Sequence, residues 1–251
     1  MLAIIGGSGL YSLPDSGEPE IHSVATEFSP EEVTVAIYAT EVGPVAFLPR
    51  HGASHQIPPH RINYRANIAA LKETGVAEII AINAVGGITA AMAPGALILP
   101  DQIIDYTSGR DATFYDGQSG QVVHVDFSNP FSERLSARLK LAGEATNLQV
   151  ETSRSVQSGG VYGCTQGPRL ETAAEIKRLL NDGCDVVGMT AMPEATLARE
   201  KEIDYAMLAL SVNWAAGIKE GVITMDDIQA VMKEGMEFIA SVIQYLLKPN
   251  H

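Results

Sequence analysis

The chain has 251 residues, a formal net charge of −13 and 46% hydrophobic side chains. That length suits one sizeable α/β domain, and an acidic balance with no basic run or stripe excludes a nucleic-acid surface. Glycines break the N-terminal apolar stretch and no run reaches membrane-spanning length, so the chain reads as cytoplasmic, without signal peptide or membrane span.

The apolar run at residues 3–5 reads as a buried strand leading into Gly6-Gly7-Ser8-Gly9. Glycines at a strand exit let backbone N–H groups turn toward an anion, and Ser8 adds a hydroxyl donor. Gly7-Ser8-Gly9 begins like a dinucleotide fingerprint but lacks the third glycine, so an oxyanion loop is the better reading. Strand-like runs follow at 33–37 and 45–48, and the second delivers Arg50-His51-Gly52. A guanidinium grips phosphate bidentately, and an imidazole stands beside it. Periodicity predicts a helix over 62–74, ended by Gly75.

The run at 79–82 leads into Asn83-Ala84-Val85-Gly86-Gly87, read as a strand exit whose small residues let a ligand approach the backbone. After a strand at 97–99, residues 111–131 are polar, aromatic and poorly periodic, a long excursion of the functional or interfacial kind. Cys164 and Cys184, with no CxxC spacing, read as buried thiols in a reducing compartment. Gly167-Pro168-Arg169-Leu170-Glu171-Thr172 leads into a helix over 171–181, with Glu171 in its first turn where a carboxylate complements the dipole. Met189 and Thr190 follow a strand at 186–187, and Asn213 follows one at 207–212. A neutral amide there can donate to and accept from a heterocycle edge. A last amphipathic helix is expected over 225–247, with Asp226 and Asp227 in its first turn. Strands alternating with helices point to a single α/β domain over 1–251. Its mixed, twisted central sheet is flanked by helices, with ligands outside the carboxyl ends of the strands.

In order, Gly6-Gly7-Ser8-Gly9-Leu10, Arg50-His51-Gly52, Asn63-Tyr64-Arg65-Ala66-Asn67 and Asn83-Ala84-Val85-Gly86-Gly87 open a longer set of motifs. Gly167-Pro168-Arg169, Glu171-Thr172, Met189-Thr190 and Pro193-Glu194 complete it. This ordered set resembles the purine nucleoside phosphorylase family, in its trimeric branch with the methylthioadenosine phosphorylases, over nearly the whole chain. The resemblance implies cleavage of a nucleoside's N-glycosidic bond by inorganic phosphate as co-substrate, with no metal or organic cofactor. It implies a phosphate site of Ser8, Arg50, His51, the Ala84 amide and Thr190. Met189 would lie beneath the ribose, and Val85, Gly86, Leu170, Glu171 and Asn213 around the base. Arg50, His51 and Asn213 are the residues implied to act in the chemistry. His124 matches a histidine that reaches the ribose of a neighbouring subunit's site, which implies a homotrimer.

Glu171 and Asn213 decide the base. A 6-oxopurine offers an N1–H donor to an ionised Glu171, while the Asn213 amide donates to N7 or O6. Adenine reverses both groups at that edge. Adenine-using relatives carry aspartates at the positions of Asn213 and Ala215 and a small polar residue at Glu171, and this chain departs from all of these. Mismatched buried polar groups discriminate by roughly 10⁴, so hypoxanthine or guanine is the expected product. At the 5′ end, relatives acting on ordinary nucleosides place a histidine early in the last helix. Here Ile223-Thr224-Met225-Asp226-Asp227-Ile228 has none. Apolar Ile223, Met225 or Ile228 would suit a 5′-methylthio group, each buried methylene contributing about 0.8 kcal/mol. The expected reaction is phosphorolysis of 5′-methylthioinosine to hypoxanthine and 5-methylthioribose 1-phosphate. A general inosine or guanosine phosphorylase, a methylthioadenosine phosphorylase and a non-catalytic nucleoside sensor are the competing expectations.

Overall fold

The computed structural model describes residues 1–117, 120–221 and 224–249. Its strands are β1 (Leu2–Gly6), β2 (Glu20–Thr26), β3 (Ser29–Thr40), β4 (Gly43–Pro49), β5 (Glu78–Gly87) and β6 (Leu97–Leu99). They continue with β7 (Gln102–Asp105), β8 (Val156–Ser158), β9 (Val161–Cys164), β10 (Val186–Gly188) and β11 (Asp204–Trp214). The helices are α1 (Tyr64–Glu73), α2 (Glu133–Gln149), α3 (Ala173–Asn181), α4 (Ala191–Glu200) and α5 (Met225–Leu246).

Side chains alternate across the central strands, and each set buries against a different helical layer. Ile79, Ala81, Met207 and Ala209 face the layer that holds Ile68 of α1 and Leu197 of α4. Ile80, Ile82, Leu208 and Leu210 face the layer that holds Leu139 of α2 and Ile239 of α5. The strands form one mixed sheet in the order β2-β3-β4-β1-β5-β10-β9-β7, from which β11 branches alongside β5 and carries β6 and β8. This is the mixed α/β architecture that the alternation of strands and helices implies. No helix among the described residues is long and apolar enough to cross a membrane.

The branching at β5 positions the site. On one edge β5 pairs with β11 from Glu78 to Gly87. On the other edge it pairs in parallel with β1 as far as Ala81, then antiparallel with β10 at Gly86 and Gly87. Between these partners residues 82–85 face no strand. The Ile82 carbonyl on this edge accepts from Arg50 Nη1. Backbone groups alternate sides along a strand, so the Ala84 amide shares that open edge.

Three expectations need correcting. Residues 83–87 belong to β5 rather than to a loop beyond it, because β11 pairs with them along one edge and β10 joins the other edge at Gly86 and Gly87. Asn213 likewise lies inside β11, past a register shift after Ser211 and ahead of the terminal Trp214. The helix expected from Glu171 begins at Ala173 instead. Thr172 caps it, with its hydroxyl accepting from Glu175 N at 3.1 Å and Glu175 Oε2 accepting from Thr172 N at 2.7 Å. The first-turn carboxylate is therefore Glu175, and Glu171 stands free of the helix. The helices expected over 62–74 and 225–247 are present as α1 and α5, capped by Asn63 and Thr224.

The junction of β5 with its partners has no spare volume. A Cβ at Gly87 would lie 1.8 Å from the Met92 carbonyl oxygen and 2.9 Å from Ser211 Oγ. Gly87→Ala should therefore lower the unfolding free energy by about 2–3 kcal/mol, measured by chemical denaturation.

Candidate active site

The open edge of β5 forms one wall of a cleft of about 650 Å³, a size suited to a small organic ligand. Ser8, Arg50, His51, Ala84 and Thr190 all line it. Gly7 explains the glycine loop after β1: a Cβ there would lie 2.4 Å from the Ile82 carbonyl oxygen and 3.1 Å from Arg50 Nη1. The backbone can approach the guanidinium that closely only without a side chain.

Arg50 differs from the sequence expectation in one respect. It is only 1% exposed, and its bidentate face is turned to a carboxylate of the protein itself. Nε and Nη2 donate to Glu194 Oε2 and Oε1 at 2.7 and 2.6 Å. Tyr205 Oη donates to the same Oε1 at 2.8 Å. With Ile82 taking one N–H of Nη1, a single N–H remains on each Nη for a ligand. Burial alone would lower the guanidinium pKa, but the Glu194 carboxylate outweighs it and the net shift is upward. Arg50 is thus a permanent cation.

His51 Nδ1 lies 2.8 Å from the Ile57 carbonyl oxygen. A carbonyl only accepts, so Nδ1 carries the proton and Nε2 is left as an acceptor. Burial, reinforced by the Arg50 charge, lowers the His51 pKa to about 4. The ring is neutral at physiological pH.

Thr190, ahead of α4, accepts from Asn83 Nδ2 at 2.7 Å, which leaves the threonine proton to point elsewhere. Asn83 Oδ1 is buried with no hydrogen-bond partner among the described residues. Asn83 also lines the cleft, and the sequence reading had given it no role.

Val85, Gly86, Leu170, Glu171 and Asn213 line the same cleft. Glu171 Oε1 accepts from Thr165 Oγ1 at 2.6 Å. Asn213 Nδ2 donates to the Trp214 carbonyl at 2.7 Å, keeping one N–H and Oδ1 for a ligand. Met189, Met225 and Ile228 are also on the wall, joined by Met232. Met225 is 62% exposed at the rim, whereas Ile228 is buried. Ile223 lies outside the described residues. His124 is exposed and does not line the cleft of its own chain. Among the described residues, no group of three or more His, Cys, Asp or Glu side chains could hold a metal ion.

Sequence reasoning assigned no role to Glu194, Thr165 or Arg110. Glu194 did leave a signal: a lone carboxylate in the apolar stretch 191–198 implies a buried cationic partner. Arg110 left none, since its partners are mostly backbone carbonyls, those of Met189, Met192, Thr165 and Gln166, with the neutral Gln166 and Tyr64 side chains beside them.

The model of the phosphorylase superfamily matches residues 1–248. A probable S-methyl-5′-thioinosine phosphorylase of Pseudomonas syringae pv. tomato is 47% identical over 250 residues, covering 99% of this chain and 98% of that protein. A 6-oxopurine nucleoside phosphorylase of Pyrococcus furiosus is 44% identical over 247 residues, covering 96% and 90%. Among solved structures, the methylthioadenosine phosphorylase of Schistosoma mansoni in complex with adenine superposes with a TM-score of 0.89 at 28% identity, covering 98% of this chain and 90% of that one.

Two outcomes follow from the buried charges. Glu194→Gln leaves the Arg50 cation without its counter-charge and should cost about 3 kcal/mol of stability, measured by urea denaturation. His51 titrates near 4 in the fold against 6.5 normally, so the unfolded chain binds the extra proton between these values. Stability should rise with pH across that window and fall as pH drops through it. His51→Gln should flatten this dependence, and an unaltered slope in phosphate-free buffer would contradict the neutral-ring assignment.

Proposed function

The chain belongs to the phosphorylase superfamily, and from that premise we propose that it cleaves 5′-methylthioinosine with inorganic phosphate, giving hypoxanthine and 5-methylthioribose 1-phosphate. One observation carries the base assignment: an acidic side chain, Glu171, and an uncharged amide, Asn213, line the same cleft as Arg50 and His51. The names of the relatives from P. syringae and P. furiosus support a 6-oxopurine nucleoside as substrate.

In this reading phosphate binds beside the open edge of β5. The Ala84 amide, the Ser8 and Thr190 hydroxyls and the free Arg50 N–H groups donate to its oxygens. The neutral His51 has only its Nε2 lone pair to offer, so it accepts the proton of monohydrogen phosphate. Met189 supports the ribose. The C1′–N9 bond breaks with its electron pair leaving on the purine, and the sugar becomes oxocarbenium-like, as in glycoside cleavage. A phosphate oxygen then bonds to C1′. Negative charge grows on the departing ring, so the remaining Asn213 N–H, donating to N7, strengthens in the transition state. Glu171 accepts from N1–H throughout. Buried Ile228, with Met225 at the rim, suits an apolar 5′ substituent better than a hydroxyl.

We further assign a homotrimer in which His124 reaches the neighbouring cleft. Its exposure beside Val122 and Val123, which are 79% and 40% exposed, supports an interfacial role for this segment. Free, buried Cys164 and Cys184 support a reducing, cytoplasmic setting.

The test is a substrate panel with and without phosphate, reading kcat/KM for 5′-methylthioinosine, inosine, guanosine and 5′-methylthioadenosine. Phosphate-dependent release of hypoxanthine, fastest from 5′-methylthioinosine, is expected. A large preference for inosine would overturn the 5′ pocket, and efficient release of adenine would overturn the roles of Glu171 and Asn213.

A further inference from the structure

We infer that the Thr165 hydroxyl is a specificity-positioning group, holding the Glu171 carboxylate where it accepts the N1–H of a 6-oxopurine. This rests on the base-site reading of Glu171 above and extends it to a residue that touches no substrate.

Thr165 lies directly after β9 and is held on both sides of its backbone. Its N–H donates to the Gly188 carbonyl at 2.8 Å. Its own carbonyl and that of Gln166 accept from Arg110 Nη2 at 3.3 and 2.9 Å. The hydroxyl has one proton and two acceptors within reach, Glu171 Oε1 at 2.6 Å and the Gly188 carbonyl at 3.4 Å. The shorter, charge-assisted bond takes it.

Glu171 is the less constrained member of the pair. It precedes the Thr172 cap and gains nothing from the helix ladder. Its carboxylate makes no other side-chain hydrogen bond among the described residues. It also forms part of two walls. One bounds the nucleoside cleft, and the other bounds a second cavity of about 260 Å³ lined by Thr165, Gln166, Arg169 and Arg178. Thr165 lines only that second cavity, so it grips one carboxylate oxygen from behind and leaves the other for the cleft. Without the hydroxyl, no side-chain hydrogen bond among the described residues holds the Glu171 carboxylate at the cleft wall, and it can turn into the second cavity, where Arg169 is already bound to Glu175. The site would then lose its acceptor for N1–H and, with it, the repulsion that a bare adenine N1 meets.

The experiment compares kcat/KM for inosine with that for purine riboside, which has no N1–H. Thr165→Val should lower the inosine-to-purine-riboside ratio by roughly tenfold or more, the worth of one hydrogen bond to a charged group. Thr165→Ser should restore it, and Thr165→Ala serves as a second deletion should valine disturb the packing. Glu171→Ala should lower the ratio at least as far, and adding Thr165→Val to it should lower the ratio no further. Equal losses on both substrates, or an unchanged ratio in Thr165→Val and Thr165→Ala, overturns the positioning role. Should Glu171→Ala itself leave the ratio unaltered, the base-site reading fails and this inference falls with it.

Discussion

The site exists because β5 lacks a strand on one edge for residues 82–85. One edge is sealed by β11 from Glu78 to Gly87, while the other passes from β1 to β10 with a gap between them. A gap in a buried sheet leaves backbone donors and acceptors that something must satisfy. The Ile82 carbonyl finds Arg50, and the Ala84 amide stays on the open edge at the wall of the cleft. Every other element of the cleft is arranged around this opening. The glycine loop leaves β1 at its lower end, Arg50-His51 leaves β4 beside it, and Met189-Thr190 leaves β10 at the far side.

Polar groups around the opening are fixed by hydrogen bonds to other groups of the protein. Glu194 and Tyr205 hold Arg50, the Ile57 carbonyl sets the His51 tautomer, and Asn83 orients Thr190. Across the cleft Thr165 holds Glu171, and Arg110 ties the strand end behind it to the Met189 turn. Such preorganisation matters for a reaction in which charge moves from the sugar to the leaving ring. Donors already in place stabilise that charge without reorganising at the moment of reaction.

Much of this was legible in the sequence. Gly6–Gly9 and Arg50-His51 announced themselves because chemistry-bearing residues followed short apolar runs, α1 because its periodicity stopped at Gly75, and α5 because its periodicity agreed with Asp226 and Asp227 in the first turn. Other elements were obscured for identifiable reasons. In α2, Leu141 and Leu148 are 64% and 84% exposed, which blurs the apolar stripe formed by Leu135, Leu139 and Ala142. Strand β2 is mostly exposed, and β7 and β8 are short, so none carries a strong apolar run. The boundary errors at Asn83, Glu171 and Asn213 have two causes. Asn83 and Asn213 are held by strand pairing with segments distant along the chain, which local pattern does not report, whereas the start after Glu171 was written locally in the Thr172–Glu175 capping box. The roles of Glu194 and Thr165 appear only once the fold brings them to Arg50 and Glu171.

The Arg50–Glu194 pair also bears on how an anion arrives. Glu194 already matches the Arg50 guanidinium buried in the cleft, and the chain as a whole carries −13. At long range, therefore, a phosphate approaches a negative body, and attraction begins only within hydrogen-bonding distance. Dissolved electrolyte screens that repulsion over about 10 Å at 0.1 M, so added salt favours encounter here, the reverse of electrostatic steering.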